Sequence, residues 1–451
     1  MKHESQLARL GLFDAKVPRY TSYPTAPHFS DDVDANDFGR WLAAVPDGDA
    51  VSLYLHVPFC RRLCWFCACR TQGVTNDLPV RLYVETLKQE IARVRAALPD
   101  DVRLSRLHWG GGTPTILPAE MISDLAATVT AEFPFARDAE FSVEIDPNEI
   151  DSARLDALAD AGMNRASIGV QDFDPEIQKV IGRVQSFEVT RDAVQALRAR
   201  GIRSLNADIL YGLPFQDNAR IADSTRKLLE LEPDRVALYG YAHVPWMARR
   251  QTMIPVKALP TPESRLHLYD TARRLFVWAG YREIGIDHFA KPGDGLDLAL
   301  QNGTLRRNFQ GYTDDQARTL VGLGASAISR FPQGYAQNAS KTADYQRMVR
   351  GGGLATARGH VFKGEDCVRG RVIEELMCQF RADLDAIESE CGAAPGTLQQ
   401  PAETAARKFP GAMKLRERII EIPHEGRALT RMIARAFDAY TLSGKGHSSA
   451  I

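Results

Sequence analysis

Residues 51–69, VSLYLHVPFCRRLCWFCAC, run a short β-rich segment (VSLYLHV, 51–57) straight into a loop with four cysteines. Cys60, Cys64 and Cys67 stand in the spacing Cys-x3-Cys-x2-Cys. A cubane of iron and sulfide presents its irons a few ångströms apart, so one short loop can direct three thiolates at three of them. A four-thiolate zinc site usually takes two Cys-x2-Cys knuckles approaching from opposite sides, and there is no second knuckle here. Disulfide exchange would need one Cys-x2-Cys and leaves Cys60 without a task. Cys69 follows Cys67 by two residues, which turns its side chain away from the same centre. The spacing therefore predicts a [4Fe–4S] cluster on Cys60, Cys64 and Cys67, with one iron left open to a small ligand.

Working outward, the first strand begins a rhythm. Further β-rich runs lie at 104–110, 140–146, 164–170, 204–210 and 235–241, separated by helical patterns such as VRLYVETLKQEIARVRAAL. Strand-then-helix alternation argues for a parallel sheet with helices outside it. About six such units favour an α/β fold of the partial (β/α)6 barrel type over a flat doubly wound sheet. Each strand ends in polar or glycine residues: His56, Gly110 to Thr113, Glu144 with Asp146, Gln171, Asp208, and Tyr239 with Tyr241. Sites in parallel α/β folds form at that rim. One polar strand end reads as a cap or turn; six in succession read as a lined cavity.

Residues 1–48 show no clear period. Their VPRYTSYPTAPHF stretch is too apolar for a free tail and is expected to pack on the barrel of residues 49–353. The glycine run at 351–353 reads as a boundary, and residues 354–451 as a small, mostly helical C-terminal domain. The 451 residues are 44% hydrophobic and 25% charged, ordinary for a soluble globular protein, with a net charge of −1 that suggests neither nucleic acid nor an anionic membrane as partner. No apolar run is long enough for a membrane span, and the first residues lack the apolar core of a signal peptide. The expected compartment is the cytoplasm. Cys367, Cys378 and Cys391 read as small buried hydrophobes.

Several motifs together resemble a known family. HVPFCRRLCWFCAC, HWGGGTPT, VEIDP, GVQDF, DILYGLP, YAHVP, DHFAKP and NFQGYT follow one another in the order found in the oxygen-independent coproporphyrinogen III oxidases of bacterial heme synthesis. The likeness runs from PRYTSYPTA near residue 18 to CQFRAD near 383. The three-cysteine core alone marks the wider radical S-adenosylmethionine superfamily; Cys69, DHFAKP and NFQGYT narrow it. The resemblance implies oxidative decarboxylation of two propionates of coproporphyrinogen III to vinyl groups, giving protoporphyrinogen IX. The agent it implies is a 5′-deoxyadenosyl radical made by one-electron cleavage of S-adenosylmethionine. It further implies two S-adenosylmethionine molecules, a reductant such as flavodoxin or ferredoxin, and a monomer.

By position in the resembling motifs, Tyr54, Gly111, Glu144, Ala242 and Ile328 match contacts of the cluster-bound cofactor. Phe66, Gly112, Thr113, Gln171, Arg183 and Asp208 match those of the second molecule, and Phe309 and Gln310 lie in the matching NFQGYT segment. Each has a plainer reading. Glycine runs usually make turns, Glu144 could cap a helix, Tyr54 could be core, and an arginine such as Arg183 is most often solvated. Asp287 and His288 form either an acid–base pair or a buried hydrogen bond. Arg19 and Tyr20 are candidates for the substrate's carboxylates if their segment folds over the barrel mouth. Competing readings are a heme-carrying paralogue, a related radical porphyrin-modifying methyltransferase, and a structural zinc protein.

Overall fold

The computed structural model describes residues 5–441 and 450–451. The six β-rich runs form the middle of a twelve-stranded sheet: β1 Ala50–Val57, β2 Arg103–Gly111, β3 Phe135–Ile145, β4 Arg165–Gln171, β5 Ser204–Tyr211 and β6 Arg235–Gly240. Each pairs in parallel with the next. The intervening segments carry helices α1 Leu78–Ala97, α2 Ala119–Glu132, α3 Ser152–Asp160, α4 Phe187–Ala199 and α5 Asn218–Glu230. After β6 comes α6, Pro262–Trp278.

The sheet extends past the six units on both sides. β7 (Arg282–Ile284) and β8 (His288–Ala290) form an antiparallel edge against β6. On the other side β9 (Thr319–Leu323) runs parallel to β1, and β10 (Ile328–Phe331), β11 (Gly334–Asn338) and β12 (Thr356–Val361) continue antiparallel. These strands are three to six residues long and most are joined by turns, too short for a periodic signal. β12 lies beyond the glycine run at 351–353, which closes α7 (Thr342–Arg350) and returns the chain to the sheet.

Outside a few bulges the strands alternate between two faces. Val51, Leu53, Leu55 and Val57 of β1, Phe141, Val143 and Ile145 of β3, and Ala166, Ile168 and Val170 of β4 are buried against the helices. The residues between them face inward and are polar: Ser52, Tyr54 and His56; Glu140, Ser142 and Glu144; Arg165 and Ser167. The inner face is therefore a wall that must be satisfied by partners or ligands. At its lower end Arg106 pairs with Glu140 (2.7 Å) and with Asp314 (3.0 Å), while Arg235 approaches the other oxygen of Asp314 (3.5 Å). Arg106 is on β2 and Arg235 on β6, which would stand about 19 Å apart in a flat sheet with strands about 4.8 Å apart. Their shared carboxylate shows that the sheet curls into a partial barrel. Asp314 directly follows a hairpin, Arg306–Asn308 with Gly311–Thr313.

A second core joins α8 (Asp366–Gln379), a small three-stranded sheet and the later helices. Leu12, Val17, Tyr20 and Tyr23 belong to it, whereas Phe38, Trp41, Leu42 and Val45 pack into the barrel core. The N-terminal stretch is thus divided between the two. Of the three late cysteines only Cys378 is buried; Cys367 is exposed and Cys391 half-buried, because both lie at the ends of their helices.

Glu90 of α1 is buried and accepts three hydrogen bonds, from the Gly324 amide, the Asn338 side chain and the Tyr345 hydroxyl, each 2.7 Å. It ties α1 to the turn after β9, to β11 and to α7. Burial, only partly offset by these donors, raises its carboxyl to about 7 from 4.5. The folded state then binds the proton more tightly than the unfolded chain, so Glu90 loses stability for the fold as pH rises from 4.5 toward 7. In urea unfolding, the difference in stability between wild type and Glu90→Gln should change across that window by about 1.4 kcal/mol for each pH unit. A difference independent of pH would contradict it.

Candidate active site

The cysteine loop is closed at its base. Phe59–Cys60 pairs with Gln72–Gly73, and the Val74 amide donates to the Cys60 carbonyl (3.1 Å). The adjoining glycine loop continues the β1–β2 ladder: the Gly112 amide donates to the Val57 carbonyl (2.8 Å) and the Thr113 amide to that of Phe59 (2.9 Å). A Cβ on Gly112 would stand 2.5 Å from the Phe59 carbonyl oxygen. Gly111 has φ +115°, and a Cβ there would meet the His56 ring at 2.7 Å. Neither position accepts a side chain.

Three other residues hold the loop from outside. The Trp65 amide donates to Ile181 O (2.9 Å). Gln251, wholly buried, donates to the carbonyls of Phe66 (2.7 Å) and Ala242 (3.1 Å) and accepts from the Val244 amide (2.6 Å). Arg250 donates to the carbonyl (3.2 Å) and hydroxyl (3.0 Å) of Thr71. Phe66 and Ala242, two predicted contacts from distant segments, are thus joined by a glutamine that no sequence signal identified.

All seven cysteines are free thiols. Each sulfur of the three predicted ligands accepts at least one donor: Cys60 from the Thr113 hydroxyl (3.6 Å), Cys64 from Arg183 (3.7 Å), and Cys67 from the Cys69 amide (3.3 Å) and thiol. Burial pushes the Cys60 thiol up to about 11, while hydrogen bonding from Cys69 draws Cys67 down to about 6. Among the described residues no three His, Cys, Asp or Glu side chains close around a single ion. A cubane takes one thiolate per iron, so its ligands need not converge on one point. Donors aimed at every sulfur suit a thiolate-ligated cluster and stabilise its negative charge. Cys69 is exposed and supports Cys67 through both its amide and its thiol.

Glu144 accepts from the Gly111 amide (3.0 Å) and lies 3.5 Å from His108. Burial opposes its charge, yet His108 and the Gly111 amide outweigh this and hold the carboxyl below its ordinary value. Tyr54 stacks on His108 (ring centroids 5.7 Å apart) and bonds His56 Nδ1 (2.9 Å). Gly322, in register with Tyr54, has the Ile328 backbone where a side chain would go, which brings Ile328 into the same line. Arg183 donates to Gly169 O (3.0 Å) and pairs with Asp146 (3.4 Å); far from solvated, it is buried on the inner wall. A Cβ on Gly169 would fall 3.0 Å from the Gln171 amide nitrogen and 3.2 Å from Arg183, so those two groups share one cradle. Burial raises the Asp208 carboxyl to about 7, with Asn206 (2.9 Å) donating to it.

The remaining predicted residues lie elsewhere. Phe309 and Gln310 form the tip of the hairpin; Phe309 packs edge-on to Tyr335 and lines a second cavity with Tyr20 and Tyr23. Tyr20 donates to Asp438 (2.9 Å), whereas Arg19 does reach the barrel mouth, donating to Gly240 O at the end of β6 (2.7 Å). Asp287 bonds His288 (2.7 Å), and His288 reaches Tyr239 (3.4 Å). Burial raises the Asp287 carboxyl, but Arg307 and His288 reverse this to about 2. His108 was missed, although it stands two residues before the glycine run on a strand whose polar residues face inward.

Residues 54–228 match the Radical SAM superfamily model. The chain is 62% identical over its full length to the oxygen-independent coproporphyrinogen III oxidase of Paracoccus denitrificans (strain Pd 1222), covering all of both chains. It is 57% identical to the protein of the same name from Cereibacter sphaeroides (strain ATCC 17023), over 98% of each. The solved structure of coproporphyrinogen III oxidase from Escherichia coli, described as a radical SAM enzyme, superposes with a TM-score of 0.90 at 36% identity, covering 98% of this chain and 100% of that one.

Placing a methyl on Gly112 forces Phe59 off the glycine loop. Gly112→Ala should cost roughly 1–3 kcal/mol by overpacking, with hydrogen exchange rising selectively across residues 59–74. Unchanged exchange there would show that the two loops are not interlocked.

Proposed function

The chain belongs to the oxygen-independent coproporphyrinogen III oxidases of the radical SAM superfamily, and from that premise we propose that it converts two propionates of coproporphyrinogen III to vinyl groups, yielding protoporphyrinogen IX. When bound, a [4Fe–4S] cluster and S-adenosylmethionine supply the electron and the 5′-deoxyadenosyl radical that abstracts hydrogen from a propionate. Each oxidised arm also releases carbon dioxide and one electron.

The observation that carries this reading is the convergence of three donor-matched cysteines with a polar strand-end wall at one mouth. In it Cys60, Cys64 and Cys67 would hold the cluster through three of its irons, leaving one for the cofactor. The backbone of Gly111 and Gly112 lets the methionine amine and carboxylate approach, because no side chain intervenes. Glu144, held ionised, suits the cationic and hydroxyl groups of the cofactor on the cluster, with Tyr54, Ala242 and Ile328 beside it. Arg183, Gln171, Asp208, Thr113 and Phe66 line the neighbouring volume proposed for a second S-adenosylmethionine. Exposed Arg62 within the cysteine loop and Arg70 just after it favour an acidic one-electron carrier of the flavodoxin or ferredoxin type. A monomer in the cytoplasm completes the reading; no described helix is long and apolar enough to cross a membrane.

Anaerobic incubation of the reconstituted, reduced protein with coproporphyrinogen III and S-adenosylmethionine should give protoporphyrinogen IX with two carbon dioxide molecules per turnover. Cys60→Ala, Cys64→Ala and Cys67→Ala should each lose the cluster's visible absorption and all product, while Cys69→Ala keeps the absorption. A wild-type protein that binds iron but yields no product refutes the assignment.

A further inference from the structure

A cavity separate from the cysteine loop opens at the C-terminal ends of β5 and β6, roofed by α6 and by the segment 424–431. Seven arginines line it, together with the carboxylates of Asp270, Glu283 and Asp287. These three carboxylates are committed. Asp270 pairs with Arg273 (3.0 Å), Glu283 with Arg273 (2.6 Å) and Arg427 (3.1 Å), and Asp287 with His288 (2.7 Å) and Arg307 (3.7 Å). Three of the arginines have main-chain oxygens as acceptors, Arg431 among them through Val17, Pro18 (3.0 Å) and Ala450 (3.1 Å). Arg19 donates to Gly240 O (2.7 Å), and Arg265 to Tyr241 O (2.8 Å), Ile451 O (3.1 Å) and Gly212 O (3.4 Å).

Main-chain oxygens orient the guanidinium groups of Arg19 and Arg265, and among the described residues no aspartate or glutamate pairs with either. Burial draws Arg265 and Arg431 below the ordinary arginine value, Arg431 to about 9, and the charge of Arg19 adds to the effect on both. Holding like charges together in a half-buried cavity costs free energy, which an entering anion recovers. A planar fork presented by fixed acceptors is the geometry that takes a carboxylate. The walls between the arginines are aromatic: Arg265 lies 5.6 Å above the Tyr211 ring, and Tyr211 packs on Tyr269 (5.5 Å). Its lining adjoins residues of the inner wall: Tyr241 precedes Ala242 in the chain, and Asp287 precedes His288, which reaches Tyr239.

We infer that this cavity seats a non-reacting propionate arm of the tetrapyrrole, with Arg19 and Arg265 binding its carboxylate and the tyrosines facing a pyrrole ring. The inference rests on the proposed substrate and adds to it the residues that hold the substrate in place. Arg19 arrives from the N-terminal stretch and Arg265 from α6, so the site exists only when the stretch lies over the mouth.

The test uses the reconstituted holoenzyme without reductant and follows fluorescence quenching of coproporphyrin III, the stable aromatic form of the substrate. Arg19→Gln should weaken binding about tenfold, the loss of one charge-assisted contact, and Arg19→Lys should restore part of it. Arg265→Gln should weaken binding similarly, with circular dichroism to verify that it is folded. Coproporphyrin III tetramethyl ester, lacking the charges, should bind wild type weakly and be indifferent to Arg19→Gln. In turnover, Arg19→Gln should raise KM more than it lowers kcat. Equal affinity of wild type and both glutamine variants for coproporphyrin III, or an ester bound as tightly as the acid, overturns the inference. If wild type makes no product yet binding still depends on the arginines, the assigned reaction fails and the carboxylate site stands. If wild type turns over and the variants match it, the site fails and the reaction stands.

Discussion

Two backbone hydrogen bonds, Gly112 to Val57 and Thr113 to Phe59, extend the β1–β2 ladder beyond the strands and bind the cysteine loop to the glycine loop. Everything at the mouth depends on that juncture. It requires a residue without a side chain at 112, and it leaves Thr113 where its hydroxyl meets the first of the three sulfurs. Because β1 and β2 neighbour each other in the sheet, the inward residues Tyr54, His56 and His108 are brought under the same loops with no further device.

The wall beneath is a problem in electrostatics solved by depth. At the lower end, arginines and carboxylates neutralise one another through Arg106, Glu140, Arg165 and Asp314. Toward the mouth such pairing thins. Asp208 has an asparagine as its donor and is driven toward its neutral form, while Glu144 keeps its charge through an amide and a histidine. Two carboxyls on one wall, a strand apart, thus differ in state because their immediate partners differ. Polar groups left partly satisfied in a cavity gain most from a ligand rich in hydrogen-bonding atoms.

Much of this was readable from the chain. All six parallel strands were found because each is a β-rich run backed by a helix with its own period, and the cysteine spacing pointed to a cluster without any fold. The motifs led to Arg183, whose burial overturned the usual expectation for a loop arginine. What escaped was short or long-range. β7 to β12 have too few residues for periodicity to register, and the glycines at 351–353 turn a corner within the sheet's connections. Gln251 and Arg265 act on segments far away in sequence, and nothing in their neighbours distinguishes them from surface residues. Phe309 and Gln310 sit in a recognisable motif, yet their hairpin faces a different cavity from the cysteine loop.

The division of the N-terminal stretch between two cores fixes the order in which the molecule can be completed. Tyr20 donates to Asp438, 418 positions later in the chain, and Leu12, Val17 and Tyr23 are buried in the same late-forming core. At roughly 5–20 residues per second on the ribosome, that partner emerges tens of seconds after the arm itself. Until then, residues 12–23 lack the surface that buries them and the barrel mouth lacks its cover. A segment made this far ahead of its partner must wait for it before it can be fastened.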